Sequence, residues 1–284
     1  MTSAQPSVAD RRSAFHRLHA DGCFVIPNPW DVGSARMLQG MGFPALATTS
    51  SGLAWSLGRP DNGITLDLAL EHMARLVEAT DVPVNADFED GFASAPSDVA
   101  ENVRLAVGTG VAGLSVEDST GDESDPLYAV DDAVERIRAA RRAIDATGGD
   151  TLLVARAEGL LWGRPSLDEI VVRLTSYAAA GADCLYAPGL RRPDEIARVV
   201  EAVAPKPLNV LMAWPDDITV DELAALGVRR ISVGGALARA AWGGFLDAAR
   251  LLAEQGRFDG FAQGERKTDL DAFFTADRGS ARPS

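Results

Sequence analysis

The sequence predicts an α/β protein: a single (β/α)8 TIM-type barrel with an extra N-terminal helix and a C-terminal helical extension. Three observations predict it. Eight short apolar runs alternate with amphipathic helical stretches at even spacing along the 284 residues. No composition break or Pro/Gly/Ser-rich linker divides them, so 1–284 reads as one domain, with the barrel at about 22–256 and a polar tail at 257–284. The first apolar run is not followed by Gly-x-Gly-x-x-Gly, which weakens the other arrangement of such units, a doubly wound sheet.

The elements follow in order. Val8 to Ala20 has the pattern of a leading helix, closed by Asp21-Gly22 before the first strand, Cys23 to Ile26. Asp31 is placed to cap a helix over Val32 to Met41, and Gly42 closes it. A second strand, Ala45 to Thr49, gives way to a Ser50-Ser51-Gly52-Leu53 turn. A loop through Pro60 and Asp61 then leads to a helix over Leu66 to Ala79. The third strand opens the run VPVNADFEDGFA, Val82 to Ala93. Pro96 starts the next helix, and Gly113 to Val116 forms a strand ending in Glu117-Asp118. The polar stretch Ser119 to Asp131 is long for a strand-to-helix loop and is the candidate lid. Asp132 to Ala146, Leu167 to Ala180, Pro193 to Val203 and Val220 to Leu226 read as helices. Strands Thr151 to Ala155, Cys184 to Ala187, Leu208 to Met212 and Arg230 to Val233 alternate with them, and a long last helix spans Ala236 to Gln255.

Composition narrows the chemistry. A formal net charge of −14 repels nucleic-acid phosphates and anionic lipid, so the expected partner is a small molecule, with no nucleic acid and no membrane. No run is long enough to span a bilayer, and Met1 to Arg12 lacks the order of a signal peptide, so a cytoplasmic location is expected. Cys23 and Cys184 form no metal spacing, the three histidines lie in helical patterns, and lysine occurs only at 206 and 267. Thiolate, imidazole and Schiff-base mechanisms therefore have little to draw on. What remains is carboxylate, arginine and metal chemistry.

Strand alternation would aim Asp87 and Glu89 to one side and Phe88 to the other. Such a pair either caps the next helix or, joined by an acid from a neighbouring strand, holds a hard cation such as Mg2+ or Mn2+. A barrel brings its strand C-termini to one mouth, which gathers Ser51-Gly52-Leu53, Asp87, Glu89, Glu117, Arg156, Glu158 and, within the seventh strand, Asn209. Three acids around a metal, one arginine and the backbone N–H groups of the Ser-Gly-Leu turn suit an anionic oxygen acid.

The segments NPWDVGSAR, TTSSGLAWSLGRPD, VPVNADFEDGFA, GVAGLSVED, LLVARAEG and PLNV, in this order from about Asn28 to Trp242, resemble the isocitrate lyase/phosphoenolpyruvate mutase superfamily. The resemblance implies a barrel that binds Mg2+ with a small oxo or hydroxy acid and works at the bond beside its carbonyl carbon. It also implies a homo-oligomer, dimer or tetramer, in which a late helix is exchanged. It puts Asp87, Glu89 and Glu117 on the metal and matches Asp61 to another acid of the metal shell. It gives the substrate carboxylate to Ser51, Gly52 and Leu53, the developing enolate oxygen to Arg156, and a distal carboxylate to Asn209, with Glu158 beside the substrate.

The chain also departs from that family. The Lys-Lys/Arg-Cys-Gly-His run of isocitrate and methylisocitrate lyases is absent from the lid, which reads STGDESDPLYAVD. The lysine and asparagine of phosphonate mutases are missing there, and the sixth strand ends in Pro188-Gly189. The expected activity is a Mg2+-dependent carbon–carbon lyase acting on a methylisocitrate-, dimethylmalate- or oxaloacetate-like acid through an enolate. Carbon–phosphorus chemistry on phosphonopyruvate and non-catalytic oxo-acid binding are the alternatives. Tyr128 in the lid and Tyr186 on the sixth strand are candidate proton donors, alongside water.

Overall fold

The structure, a computed structural model, describes residues 5–163, 166–263 and 269–279. The elements are α1 (Val8–Ala20), β1 (Phe24–Ile26), α2 (Val32–Gly40), β2 (Leu46–Ala47), α3 (Ser50–Ser56), α4 (Leu66–Ala79), β3 (Val84–Asp87) and α5 (Pro96–Gly108). They continue with β4 (Gly113–Glu117), α6 (Val130–Ala146), β5 (Leu152–Arg156), α7 (Leu167–Ala179), β6 (Cys184–Tyr186) and α8 (Pro193–Val203). The last are β7 (Leu208–Leu211), α9 (Val220–Ala225), β8 (Arg230–Ser232), α10 (Ala236–Gln255) and α11 (Leu270–Gly279). By internal contacts the chain forms two compact units, Pro6–Leu237 and a second built mainly from Ala238 onward.

In the first unit eight strands pair in parallel in the order β1-β8-β7-β6-β5-β4-β3-β2. No ladder joins β1 to β2. The seam is closed instead by the Ala47 N–H donating to the Pro27 carbonyl at 3.0 Å and by Asn28. Asn28 Nδ2 donates to the Thr48 carbonyl at 2.8 Å, and its Oδ1 accepts from the N–H groups of Val233 (3.0 Å) and Gly234 (2.9 Å). One buried amide thus satisfies three backbone groups from both sides of the gap.

Two cores result. Outward-facing strand residues such as Leu46, Val84, Leu114, Leu153, Leu185 and Val210 pack on the helices, while Ile26, Ala47, Val154, Cys184 and Tyr186 fill the barrel with Phe15 of α1. That leading helix is a stopper. A Cβ at Gly113 would stand 2.7 Å from Phe15 Cε1, so β4 runs against the ring with no side chain between them. Arg11 donates to the carbonyls of Val77 and Thr80, and Arg12 to those of Val107 and Val111, which satisfies carbonyls at the C-terminal ends of α4 and α5.

In the second unit the 3-10 turn Asp259–Gln263 folds against α10, where a Cβ at Gly260 would come within 2.9 Å of the Ala248 Cα. Trp242 and Phe245 meet edge to face at 5.6 Å on α10, both exposed to solvent.

The expected helices at Val8–Ala20, Leu66–Ala79, Pro193–Val203 and Ala236–Gln255 stand at those bounds, and Asp31 caps α2 through a reciprocal pair with Ser34. Three expectations are corrected. Ser50 to Leu53 is not a turn but the start of α3, because Thr49 caps it with its side chain on the Gly52 N–H. β2 ends two residues earlier than expected and β6, β7 and β8 one residue earlier, while β4 and β5 run one residue further, to Glu117 and Arg156. A 3-10 helix, Glu158–Trp162, follows β5 where no element was expected. Tail residues after Gly279, and Lys267, lie outside the described residues. No helix among the described residues is long and apolar enough to cross a membrane.

Candidate active site

The C-terminal ends of β3, β4 and β5 deliver Asp87, Glu117 and Arg156 to one place. The register explains why, since Glu117 and Arg156 are direct partners across β4 and β5. Each nitrogen of Arg156 meets a different acid: Nη1 lies 2.6 Å from Asp87 Oδ1, Nη2 3.1 Å from Glu117 Oε2, and Nε 2.9 Å from Glu158 Oε1. Burial alone would lower the guanidinium pKa, but Glu117, Glu158 and Asp87 outweigh it and raise it well above the ordinary value. Burial likewise pushes Glu117 and Glu158 above the carboxylate range, with Arg156 opposing.

Asp87 is fixed from its other side. Its Oδ2 accepts from the N–H and the hydroxyl of Ser50, both at 3.0 Å, and its own N–H donates to Thr48 Oγ1 at 2.7 Å. Sequence reasoning passed over Ser50 and Thr48, although Ser50 adjoins the Ser51-Gly52-Leu53 segment that it singled out. Around that segment, Ser51 Oγ lies 3.1 Å from Thr49 Oγ1, and the Leu53 N–H donates to the Thr49 carbonyl. Gly235, after β8, approaches so closely that a Cβ there would stand 2.7 Å from Ser51 Oγ.

Glu89 joins the cluster by a route that strand alternation does not describe. β3 ends at Asp87, and Glu89 turns with φ +44°, a left-handed conformation rare for a side-chain-bearing residue. Its Oε1 is buried with no hydrogen-bond partner. Burial first, then the charges of Asp87, Asp90 and Asp61, push its pKa up to about 8. Asp61, in the α3–α4 connection, is therefore within electrostatic reach of Glu89. Asp90 turns away to Arg136, with 3.7 Å between the charged groups.

Among the described residues, no three His, Cys, Asp or Glu side chains stand as a ready-made metal cage. The donors fit a hard divalent cation in kind: all are carboxylate oxygens, one is buried without a partner, and burial with the neighbouring acids pushes the Glu89 pKa up, a shift that a cation would offset. Asp87 and Glu117 each lend an oxygen to Arg156 as they stand.

Deeper in the barrel, Tyr186 lies under Arg156, with the guanidinium carbon 5.1 Å from the ring centroid. Asn209 is fully buried; its Nδ2 donates to Ser232 Oγ at 3.0 Å and its Oδ1 has no partner. The lid segment is folded on itself: Ser119 bridges Leu127, and the Thr120 N–H and hydroxyl donate to the carbonyls of Pro126 and Asp125. Tyr128 stands at its stem, with its ring 4.1 Å from the Arg136 guanidinium and its carbonyl accepting from Arg173.

Asp118 anchors this stem, and sequence reasoning missed it. Its Oδ1 accepts from the Glu158 N–H at 2.8 Å, and its Oδ2 from Arg173 Nη1 (3.0 Å) and the Tyr177 hydroxyl (2.6 Å), all buried. Alternation after Glu117 was the available signal, since the residue beside one facing the mouth faces the helices.

Comparison with known proteins follows this geometry. The phosphoenolpyruvate phosphomutase family model matches residues 15–253. The chain belongs to that family. An oxaloacetate decarboxylase of Pseudomonas entomophila is 32% identical over 251 residues, 85% of this chain and 84% of that protein. A solved Burkholderia cenocepacia J2315 structure carrying a provisional lyase/mutase assignment is 50% identical with a TM-score of 0.90, covering 94% of this chain and 96% of its own. An oxaloacetate acetylhydrolase in complex with its product oxalate is 27% identical with a TM-score of 0.83, covering 98% of this chain and 99% of that one. The family has thus kept this barrel across enzymes that handle small oxo acids.

Proposed function

We propose that the chain is a divalent-cation-dependent carbon–carbon lyase or decarboxylase acting on a small 2-oxo or 2-hydroxy di- or tricarboxylic acid through an enolate. The observation that carries this reading is Arg156, a buried guanidinium held by acids from three strand ends at the barrel mouth. Asp87, Glu89 and Glu117, with Asp61 nearby, would hold Mg2+ or Mn2+, which when bound supplies a Lewis acid to the substrate carbonyl. Arg156 keeps positive charge where the enolate oxygen gains negative charge, in a buried setting that strengthens the interaction. The first turn of α3, Ser51 to Leu53, receives the substrate carboxylate, and Glu158 fixes the tilt of the guanidinium. Tyr128 anchors the lid that excludes water. Related oxaloacetate enzymes support the oxo-acid class.

Incubation with oxaloacetate, 2,3-dimethylmalate and 2-methylisocitrate, with Mg2+ and with EDTA, tests the reading. Mg2+-dependent release of pyruvate or another oxo acid from at least one is expected, and release from none overturns it. The family's own description favours a second reading, carbon–phosphorus chemistry, which phosphorus NMR with phosphonopyruvate would reveal. We also propose that copies associate through the apolar face of α10, where Trp242, Phe245, Leu246 and Leu252 are exposed. Light scattering that finds a monomer would remove that proposal.

A further inference from the structure

Next to Arg156, the three successive strands β6, β7 and β8 carry Tyr186, Asn209 and Ser232. Tyr186 is the last residue of β6 and the direct partner of Arg156 across the sheet. It is 8% exposed and packs with the residues that fill the barrel, among them Cys184, Val154 and Phe15. On its other side it is the direct partner of Asn209 of β7, whose Nδ2 donates to Ser232 Oγ of β8 at 3.0 Å. Tyr186 therefore stands between Arg156 and Asn209 in the register of the sheet, with the guanidinium carbon 5.1 Å from its ring centroid.

Two buried polar atoms remain unused on the strands beyond Tyr186. Asn209 Oδ1 has no partner, and neither does Nε of its β8 neighbour Arg230, whose guanidinium makes one long hydrogen bond, 3.3 Å, to Asn85. Unsatisfied buried donors and acceptors beside a bulky ring leave capacity for a further polar group of a ligand once the ring is removed.

We infer that Tyr186 is a specificity-determining residue that shortens the site, so that it accepts a four-carbon oxo acid and rejects longer, branched acids whose far carboxylate would have to reach Asn209 and Ser232. The inference rests on the oxo-acid reading of the site. Removing the ring opens space and frees two polar side chains at once, so its effect should fall on the longer acid. Removing only the hydroxyl should leave the ring in place.

The test is kcat/KM for oxaloacetate and for 2-methylisocitrate in the wild type, Tyr186→Ala and Tyr186→Phe. The wild type is expected to favour oxaloacetate by about tenfold or more, Tyr186→Ala to lower that ratio at least about tenfold by gaining on the longer acid, and Tyr186→Phe to stay within about threefold of the wild-type ratio. An unchanged ratio in a folded Tyr186→Ala, or a wild type that prefers the longer acid, overturns the inference. If Tyr186→Ala does not fold, Tyr186→Leu takes its place on the same criterion. If the wild type turns over neither acid, calorimetry with oxalate and with tricarballylate in the presence of Mg2+ decides. Preference for oxalate that is lost in Tyr186→Ala upholds the inference while the lyase reading falls; no preference, or no binding of either, overturns the inference as well.

Discussion

Arg156 spends all three of its nitrogen positions on different carboxylates, so a change there alters the shape of the cluster as well as its charge. Arg156→Lys keeps the charge but replaces a planar fork with a point. Turnover of whichever acid the wild type accepts is expected to fall about 100-fold or more. A lysine variant within threefold of wild type would show that the fork is not needed. Asp87, Glu117 and Arg156 were legible in the sequence because each ends a strand, and a barrel makes strand ends neighbours. Glu89 was legible only by proximity: its left-handed backbone, which periodicity cannot reveal, carries it to the cluster. Ser50 was hidden because a pair of serines ahead of a glycine reads as turn chemistry until the partner acid is located.

Between residue and molecule, two elements carry loads that their sequences conceal. Arg173 and Tyr177 of α7 reach Asp118 from the far side of β4, and Tyr128 of the lid stem hangs on the same group. Asp118→Ala would take from a buried guanidinium its buried carboxylate, leaving only the partly exposed Glu169 at 3.3 Å, and urea unfolding is expected to report a loss of about 3 kcal/mol. The lid stem should also become a site of early proteolytic cutting. A stability within 1 kcal/mol of wild type would contradict this account.

The stopper helix α1 carries His19, which packs edge-on against Phe15 and Phe24 with its Nδ1 2.8 Å from the Phe15 carbonyl. Burial, helped by Arg230, pushes its pKa down to about 3. The unfolded chain takes up this proton below about pH 6.5 and the folded chain only near 3, so stability drops as pH falls across that window. At pH 4.5 the loss from this group is on the order of 2–3 kcal/mol. His72, lowered to about 4 by burial, acts in the same direction. His19→Phe is expected to narrow the gap between urea midpoints at pH 7 and pH 4.5, and an equal gap in both proteins would remove His19 from the explanation. That α1 is a helix was plain from its amphipathic pattern. That it plugs the barrel was not, because one phenylalanine among polar neighbours gives no direction.

For the molecule as a whole, the seam between β1 and β2 matters most. Eight even strand-helix units made the barrel legible, since closure is the arrangement that even spacing favours. How the last gap closes was not legible, because it depends on one amide, Asn28, flanked by prolines that read simply as a loop. Asn28 holds the Thr48 carbonyl, and the Thr48 hydroxyl accepts from the Asp87 N–H, so the seam and the site share a residue. Asn28→Ala is expected to cost about 2–4 kcal/mol by leaving buried backbone groups unpaired, and to reduce turnover as well. Loss of stability with full activity would separate the seam from the site.

The contact between Phe15 and Gly113 also sets a rule for how this chain can change over time. A Cβ at position 113 would meet the ring of the leading helix first, at 2.7 Å, and then the Asn85 amide oxygen at 2.8 Å and the Leu152 carbonyl at 3.0 Å, so the ring and position 113 share part of one volume. Gly113→Ala alone is expected to lower stability by about 1–3 kcal/mol, and Phe15→Leu in the same chain to recover part of that loss, as double-mutant unfolding would measure. The history of the helix is thus written in part in the strand: a lineage that lost its first twenty residues would shed the nearest of these contacts, while Asn85 and the Leu152 carbonyl would still favour glycine at the fourth strand's start.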